Sequence, residues 1–216
     1  MAGLTDAVAT RAVERATAAR HARYTEQIDR IVEATLDLIE RTGRLDPPLR
    51  DVLAATGLST QAFYRYFQSK DELLLLLLDD GRRKLQSYLD HRIAKARTPF
   101  ARIETWIEGV LAQAARDDAA ARTRPFVVHQ ARLSEAFPED HRASIDLLID
   151  QLAALVADLP GHASARPADV RRDAEAVYQL TFARLEAHLI RQSRPTPSEI
   201  AHLVDFARRG LGETTD

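Results

Sequence analysis

One segment, Asp51 to Lys70, constrains the fold of this 216-residue chain more tightly than any other. It reads as a short helix ending before Gly57, a tight turn, and a second short helix that follows Ser59. Ala62, Phe63, Tyr66 and Phe67 fall at helical spacing on one side of that second helix. Thr60, Gln61, Tyr64 and Arg65 fall on the other. The first set is what a small helical core needs. The second offers hydroxyls, an amide and a guanidinium, groups that reach base edges and phosphates in a major groove. Two helices about a tight turn, the second two-faced in this way, have the form of a helix-turn-helix with its recognition helix.

The remainder predicts an all-α chain. Alternation of apolar and polar residues persists nowhere, and alanine, leucine, arginine and glutamate dominate. Breakers at Gly43 to Pro48, Gly57, Thr98-Pro99, Pro125, Pro138, Pro160-Gly161, Pro167, Pro195 and Pro197 leave about nine helical segments. The first runs from about Thr25 to Arg41 with a stripe of Ile28, Ile31, Val32, Leu36 and Ile39, and Gly43 stops it. Pro48 fits the first turn of helix two, and Ser59 is the expected N-cap of helix three. Ser69 and Glu72 form a capping box that opens helix four, which continues to about Lys95. Its Leu73 to Leu78 segment is apolar all round and must be covered on several sides. It marks the junction between a small N-terminal helix-turn-helix domain (25–70) and a larger C-terminal helical bundle (71–216), with residues 1–24 expected to be a mobile extension.

Composition narrows the function. There are no cysteines, so disulfides and thiolate metal sites are excluded. A formal net charge of −2 argues against a non-specific polyanion binder, but not against a binder whose positive charge is local. Ser59 to Lys70 holds two cations, Arg65 and Lys70, and no acid. The apolar run Leu73 to Leu78 falls far short of the roughly 20 residues of a membrane span, and Met1 to Ala22 lacks the apolar segment of a secretory signal. A cytoplasmic protein with no membrane partner is expected. Arg11, Arg15, Arg20 and Arg23 read as a partly helical terminus more readily than as a minor-groove arm.

No phosphate-binding glycine loop, Gly-x-Ser-x-Gly elbow or His-Glu-x-x-His pair occurs, so no enzyme is expected. Glu199 and His202 have the spacing of a di-iron bundle, which needs two such pairs and two more glutamates. One pair alone predicts no metal, and no cofactor is expected. Two alternatives remain: a helical-bundle enzyme, and a helical protein-interaction module without DNA. The latter leaves the Gln61, Tyr64 and Arg65 face unexplained.

From Ile31 through Leu75 the chain resembles the TetR family of dimeric transcriptional repressors. The resemblance is carried by the helix ending at Gly43, by Val52-Leu53-Ala54-Ala55-Thr56-Gly57-Leu58-Ser59, and by Tyr64-Arg65-Tyr66-Phe67-Gln68-Ser69-Lys70-Asp71-Glu72-Leu73. It implies that Tyr64 and Lys70 bind phosphates, that Thr60 and Gln61 face bases, and that Arg50 lies where some members read a guanine. Arg65 takes a base or a phosphate, and Ser59 belongs to the same DNA-contacting set. Pro47-Pro48 departs from the usual Thr or Ser cap of helix two, and Leu53 replaces a usual small residue. On this reading the protein is a repressor that binds a near-palindromic double-stranded operator as a homodimer and is released by a small, apolar effector. Val177, Thr181 and Leu185, with Ile200, Leu203, Val204 and Ala207, are the expected dimer stripe. Trp106, Val110, Phe126, Tyr178 and Phe182 suggest an apolar pocket with His129, Gln130 or Arg132 as polar anchors, or they simply fill the core.

Overall fold

The structure is a computed structural model that describes the backbone of residues 2–42, 47–162 and 164–213. Side chains are described from Glu14 onward in those ranges, except Val128 and His129. Its helices are α1 (Ala2–Thr42), α2 (Leu49–Thr56), α3 (Thr60–Phe63), α4 (Lys70–Ile93) and α5 (Pro99–Ala115), followed by α6 (Asp117–Ala136) and α7 (Pro138–Ala157). A 3-10 turn at Pro160–His162 leads to α8 (Pro167–Arg191) and α9 (Pro197–Gly210). No strand occurs among the described residues.

Side-chain oxygens start four of these helices. Ser59, Ser69, Thr98 and Thr196 each accept the backbone N–H three residues ahead, satisfying donors that a helix start leaves open. At Thr196 the box closes in both directions, because Glu199 accepts from the Thr196 backbone N–H at 2.8 Å. The Glu199 carboxylate is thus a cap. His188 Nε2 stands 3.9 Å from it, and no metal-binding group occurs among the described residues. Gly57 ends α2 at φ 69°, a left-handed conformation that glycine adopts without a Cβ penalty.

Two apolar cores result. The N-terminal core joins Ile31, Val32, Leu38 and Ile39 of α1, Val52 of α2, Phe63 and Phe67 to the start of α4. Every leucine of the Leu73 to Leu78 run is buried there except Leu76, which is half-buried against it. Leu133 of α6 is also fully buried in this core, with Phe126 and Phe137 packed on it. The C-terminal core is built by α5, α7, α8 and α9, with the second half of α4.

Four expectations change. The N-terminal extension is not separate from helix one: α1 is continuous from Ala2, and the Gly43 stop lies outside the described residues. Pro48 is the N-cap of α2 rather than its first helical residue. Pro125 does not end a helix but lies inside α6. Proline there deletes one i to i−4 hydrogen bond, and α6 runs on because its flanks are held by packing of Phe126 and Leu133.

The fourth change concerns the expected dimer stripe. Val177, Thr181, Leu185, Leu203, Val204 and Ala207 are all buried within a single chain, and Ile200 packs half-buried beside them. They face the protomer's own core. The opposite side of α8 exposes Leu180 (39%) and Ile190 (63%), with Ala176 and Ala183 also exposed, and α9 exposes Phe206 (49%).

Candidate nucleic-acid interface and interior cavity

The outer side of α3 is built by what the inner side must do. Phe63 and Phe67 are drawn into the core with ring centroids 5.2 Å apart. Tyr66, half-buried, packs against Tyr24 of α1 with the rings tilted and their centroids 5.0 Å apart. The intervening positions are therefore turned outward. Thr60, Gln61 and Arg65 are exposed, and Tyr64 is 53% exposed although its ring meets the edge of Phe63. The helix is only a single turn; Arg65 and Tyr66 then donate to carbonyls three residues back, in a tighter turn.

Ser59 spends its hydroxyl on the Ala62 N–H at 3.1 Å, so its part is to set where α3 begins. Arg50 projects from the first turn of α2, with its side chain 84% exposed and Nε 3.2 Å from Asp51 Oδ1. Lys70 opens α4, where a cation opposes the helix dipole. Its Nζ donates to the Pro47 carbonyl at 3.3 Å, which places the ammonium beside the entry to α2. Arg50, Arg65 and Lys70 supply the positive charge of this domain face, and Gln61 and Thr60 the groups able to read base edges.

A cavity of about 380 Å³ lies between the two cores. Its wall includes Leu36 and Glu40 of α1, Leu77, Leu78 and Leu85 of α4, and Gln113 of α5. Phe126, Val127 and Gln130 of α6 and Phe182, Leu185 and Glu186 of α8 complete it. Three residues expected to line a pocket thus do so: Phe126, Gln130 and Phe182. Trp106, Val110 and Tyr178 instead fill the core. Tyr178 stacks on Phe182 at 4.2 Å, and the Trp106 Nε1–H donates to Gln151 Oε1 at 3.0 Å. Arg132 pairs with Asp71 at the start of α4, at 2.6 Å, rather than lining the cavity. The His129 side chain lies outside those described.

The charged groups of the wall were missed in the sequence. Arg82 is 5% exposed; its Nη2 lies 3.5 Å from His141 Nε2 and its Nη1 has no hydrogen-bond partner. Burial lowers its pKa, against the raising pull of Tyr178, Asp79 and Glu186. Burial, aided by the Arg82 charge, also lowers the pKa of His141 and favours its neutral form. Burial pushes Glu186 up, opposed by a hydrogen bond from Gln130 and by Arg82, and pushes Tyr178 up to about 12. A signal was available: Leu78, Arg82, Leu85 and Leu89 recur at helical spacing, so Arg82 stands in a leucine stripe.

A two-core helical chain with a helix-turn-helix at one end has the architecture of a DNA-binding transcriptional regulator. Residues 31–77 match the family described as bacterial regulatory proteins, tetR family. Residues 31–77 thus form a DNA-binding domain of the tetR type, and the chain is a DNA-binding transcriptional regulator. No curated protein is similar enough in sequence to count as a relative. Among solved structures, a protein of Pseudomonas aeruginosa PAO1 described as a transcriptional regulator superposes with a TM-score of 0.64 at 16% identity, over 87% of this chain and 90% of that one. A protein of Syntrophomonas wolfei described as a TetR-family regulator gives 0.62 at 16%, over 88% and 97%. The reduced form of Escherichia coli NemR gives 0.61 at 16%, over 85% and 97%. At these identities the likeness is one of fold. No helix of the described residues is long and apolar enough to cross a membrane.

Proposed function

We propose that the protein is a cytoplasmic repressor, and not an enzyme, which leaves its operator when a small effector with an apolar body enters the interior cavity. The observation that carries this reading is the wall of the cavity. Leu36, Leu77 and Leu78 belong both to it and to the core that holds the recognition helix. A molecule seated there cannot avoid bearing on α1 and α4. Arg50, Thr60, Gln61, Tyr64, Arg65 and Lys70 are the DNA-contacting residues, with Ser59 as the cap that orients them. Residues 25–70 act as the DNA-binding unit and 71–216 as the effector and assembly unit.

The operator is near-palindromic because a homodimer presents two recognition helices to successive major grooves. The dimer forms through the exposed side of α8 and α9 around Leu180, Ala183, Ile190 and Phe206, since the apolar stripe first expected there is spent inside each protomer. An effector acts only by favouring the DNA-incompetent arrangement. Mapping the sites bound by the purified protein on its own genome, then titrating one such site by fluorescence anisotropy at several salt concentrations, tests the reading. A palindromic consensus bound by two chains is the expected result. Binding that shows no sequence preference over competitor DNA overturns it.

A further inference from the structure

We propose that the cavity takes an amphipathic monocarboxylate, its apolar body among Leu36, Leu77, Phe126 and Phe182 and its carboxylate on Nη1 of Arg82. This rests on the reading of the cavity as the effector site and adds the chemical class of the effector.

The charges of the wall lead to it by pairing. Four acids and four bases line the cavity: Glu40, Asp80, Asp118 and Glu186, with Arg82, Lys84, Arg116 and Arg122. Three pairs form among them. Arg122 meets Glu40, Lys84 meets Asp80 at 2.8 Å, and Arg116 meets Asp118 at 2.9 Å. The bases of these pairs are 63–66% exposed, so they lie at the rim, where water already satisfies them. Arg82 and Glu186 are left.

Arg82 is almost wholly buried, makes no ion pair within 4 Å among the described residues, and keeps one guanidinium nitrogen without a partner. Its one side-chain hydrogen-bond partner, His141, offers no negative charge in either protonation state. A buried cation of this kind is costly until an anion meets it. Glu186 already accepts from Gln130, and burial favours its protonated form. It is the wall acid that bears on Arg82 and makes no ion pair among the described residues, so one carboxylate is as much added negative charge as the single guanidinium can match. A guanidinium also presents its N–H groups in the fork that a carboxylate fits.

The test is calorimetric titration of the full chain with decanoate, decanol and decylamine, which share a body and differ in head. Decanoate should bind roughly ten- to a hundredfold more tightly than decanol, as a hydrogen bond to a charged partner implies, and decylamine least. Arg82→Met should abolish the preference for decanoate over decanol while leaving decanol affinity in place. Replacing a buried ion by a side chain of similar volume is often neutral for stability. Glu186→Gln should tighten decanoate alone. The comparison of the three heads on the unaltered protein stands whether or not Arg82→Met folds. Decanol binding as tightly as decanoate overturns the proposal while leaving the effector cavity intact. Failure of all three to bind overturns the cavity reading and the proposal with it.

Discussion

Single side chains on the DNA-facing surface divide by what they can do. Tyr64 and Lys70 offer a hydroxyl and an ammonium, suited to phosphate, whereas Gln61 offers an amide that can pair with a base edge. Tyr64→Phe and Lys70→Ala should weaken binding to all sequences alike, with a shallower salt dependence for Lys70→Ala. Gln61→Ala should relax preference at one operator position and leave the salt slope unchanged. Anisotropy titrations against the operator and its single-base variants distinguish the two patterns. Equal losses for all three would place the recognition surface elsewhere. His141 supports a second expectation, on stability. Its folded pKa is held below the value of 6.5 expected when unfolded. As pH falls through that value the unfolded chain gains a proton that the folded chain refuses, so stability is present above it and declines below it. His141→Gln should reduce the fall in melting temperature between pH 7 and pH 5, measured by circular dichroism.

Among the elements, α4 and α6 do the joining. The leucines of α4 face the N-terminal core and the cavity together, and Leu133 of α6 is buried in that same core. Leu77→Ala should cost about 2–5 kcal/mol, as for other buried leucines. It should also change the ratio of operator affinities with and without effector, because the lost contact belongs to both wall and core. An unchanged ratio on folded protein would route the signal past α4. The leucine run was legible in the sequence as a junction because a helix apolar on every side has to be covered on every side. Helix number and order were legible for the same kind of reason, since capping residues and prolines act locally. Two things were not. Pro125 looks the same in sequence whether it ends a helix or rides inside one, and only tertiary packing on its flanks decides. On α8, Leu185 and Ile190 are both apolar and lie on different sides of the helix. Periodicity finds such stripes but does not say which meets its own chain and which another. The cavity combines side chains from five helices, and no local pattern announces a gap between them.

Over the whole molecule, the two sides of α8 lead to different failures. Leu180→Glu or Phe206→Glu places a charge on an exposed apolar face and should yield folded monomers, seen as a halved mass in light scattering, because a desolvated charge facing its symmetry mate is costly. Leu203→Glu places it in the protomer core and should unfold the chain instead. A dimer that survives both surface changes would move the interface. Assembly and folding are in this sense separable on α8 and α9, one side for each.

The length of α1 carries a further consequence. Its 41 residues extend about 60 Å at about 1.5 Å per residue, and the side chains from Glu14 to Glu26 are exposed. A helix with no tertiary cover is marginal in water and opens far more often than the packed body behind it. Trypsin should therefore cut first at Arg15, Arg20 and Arg23, and the trimming should stall at Tyr24, whose ring is held on Tyr66. The shortened protein keeps every residue of the helix-turn-helix. Operator affinity before and after that trimming shows whether these arginines grip the flanks of the site or merely travel with the protein.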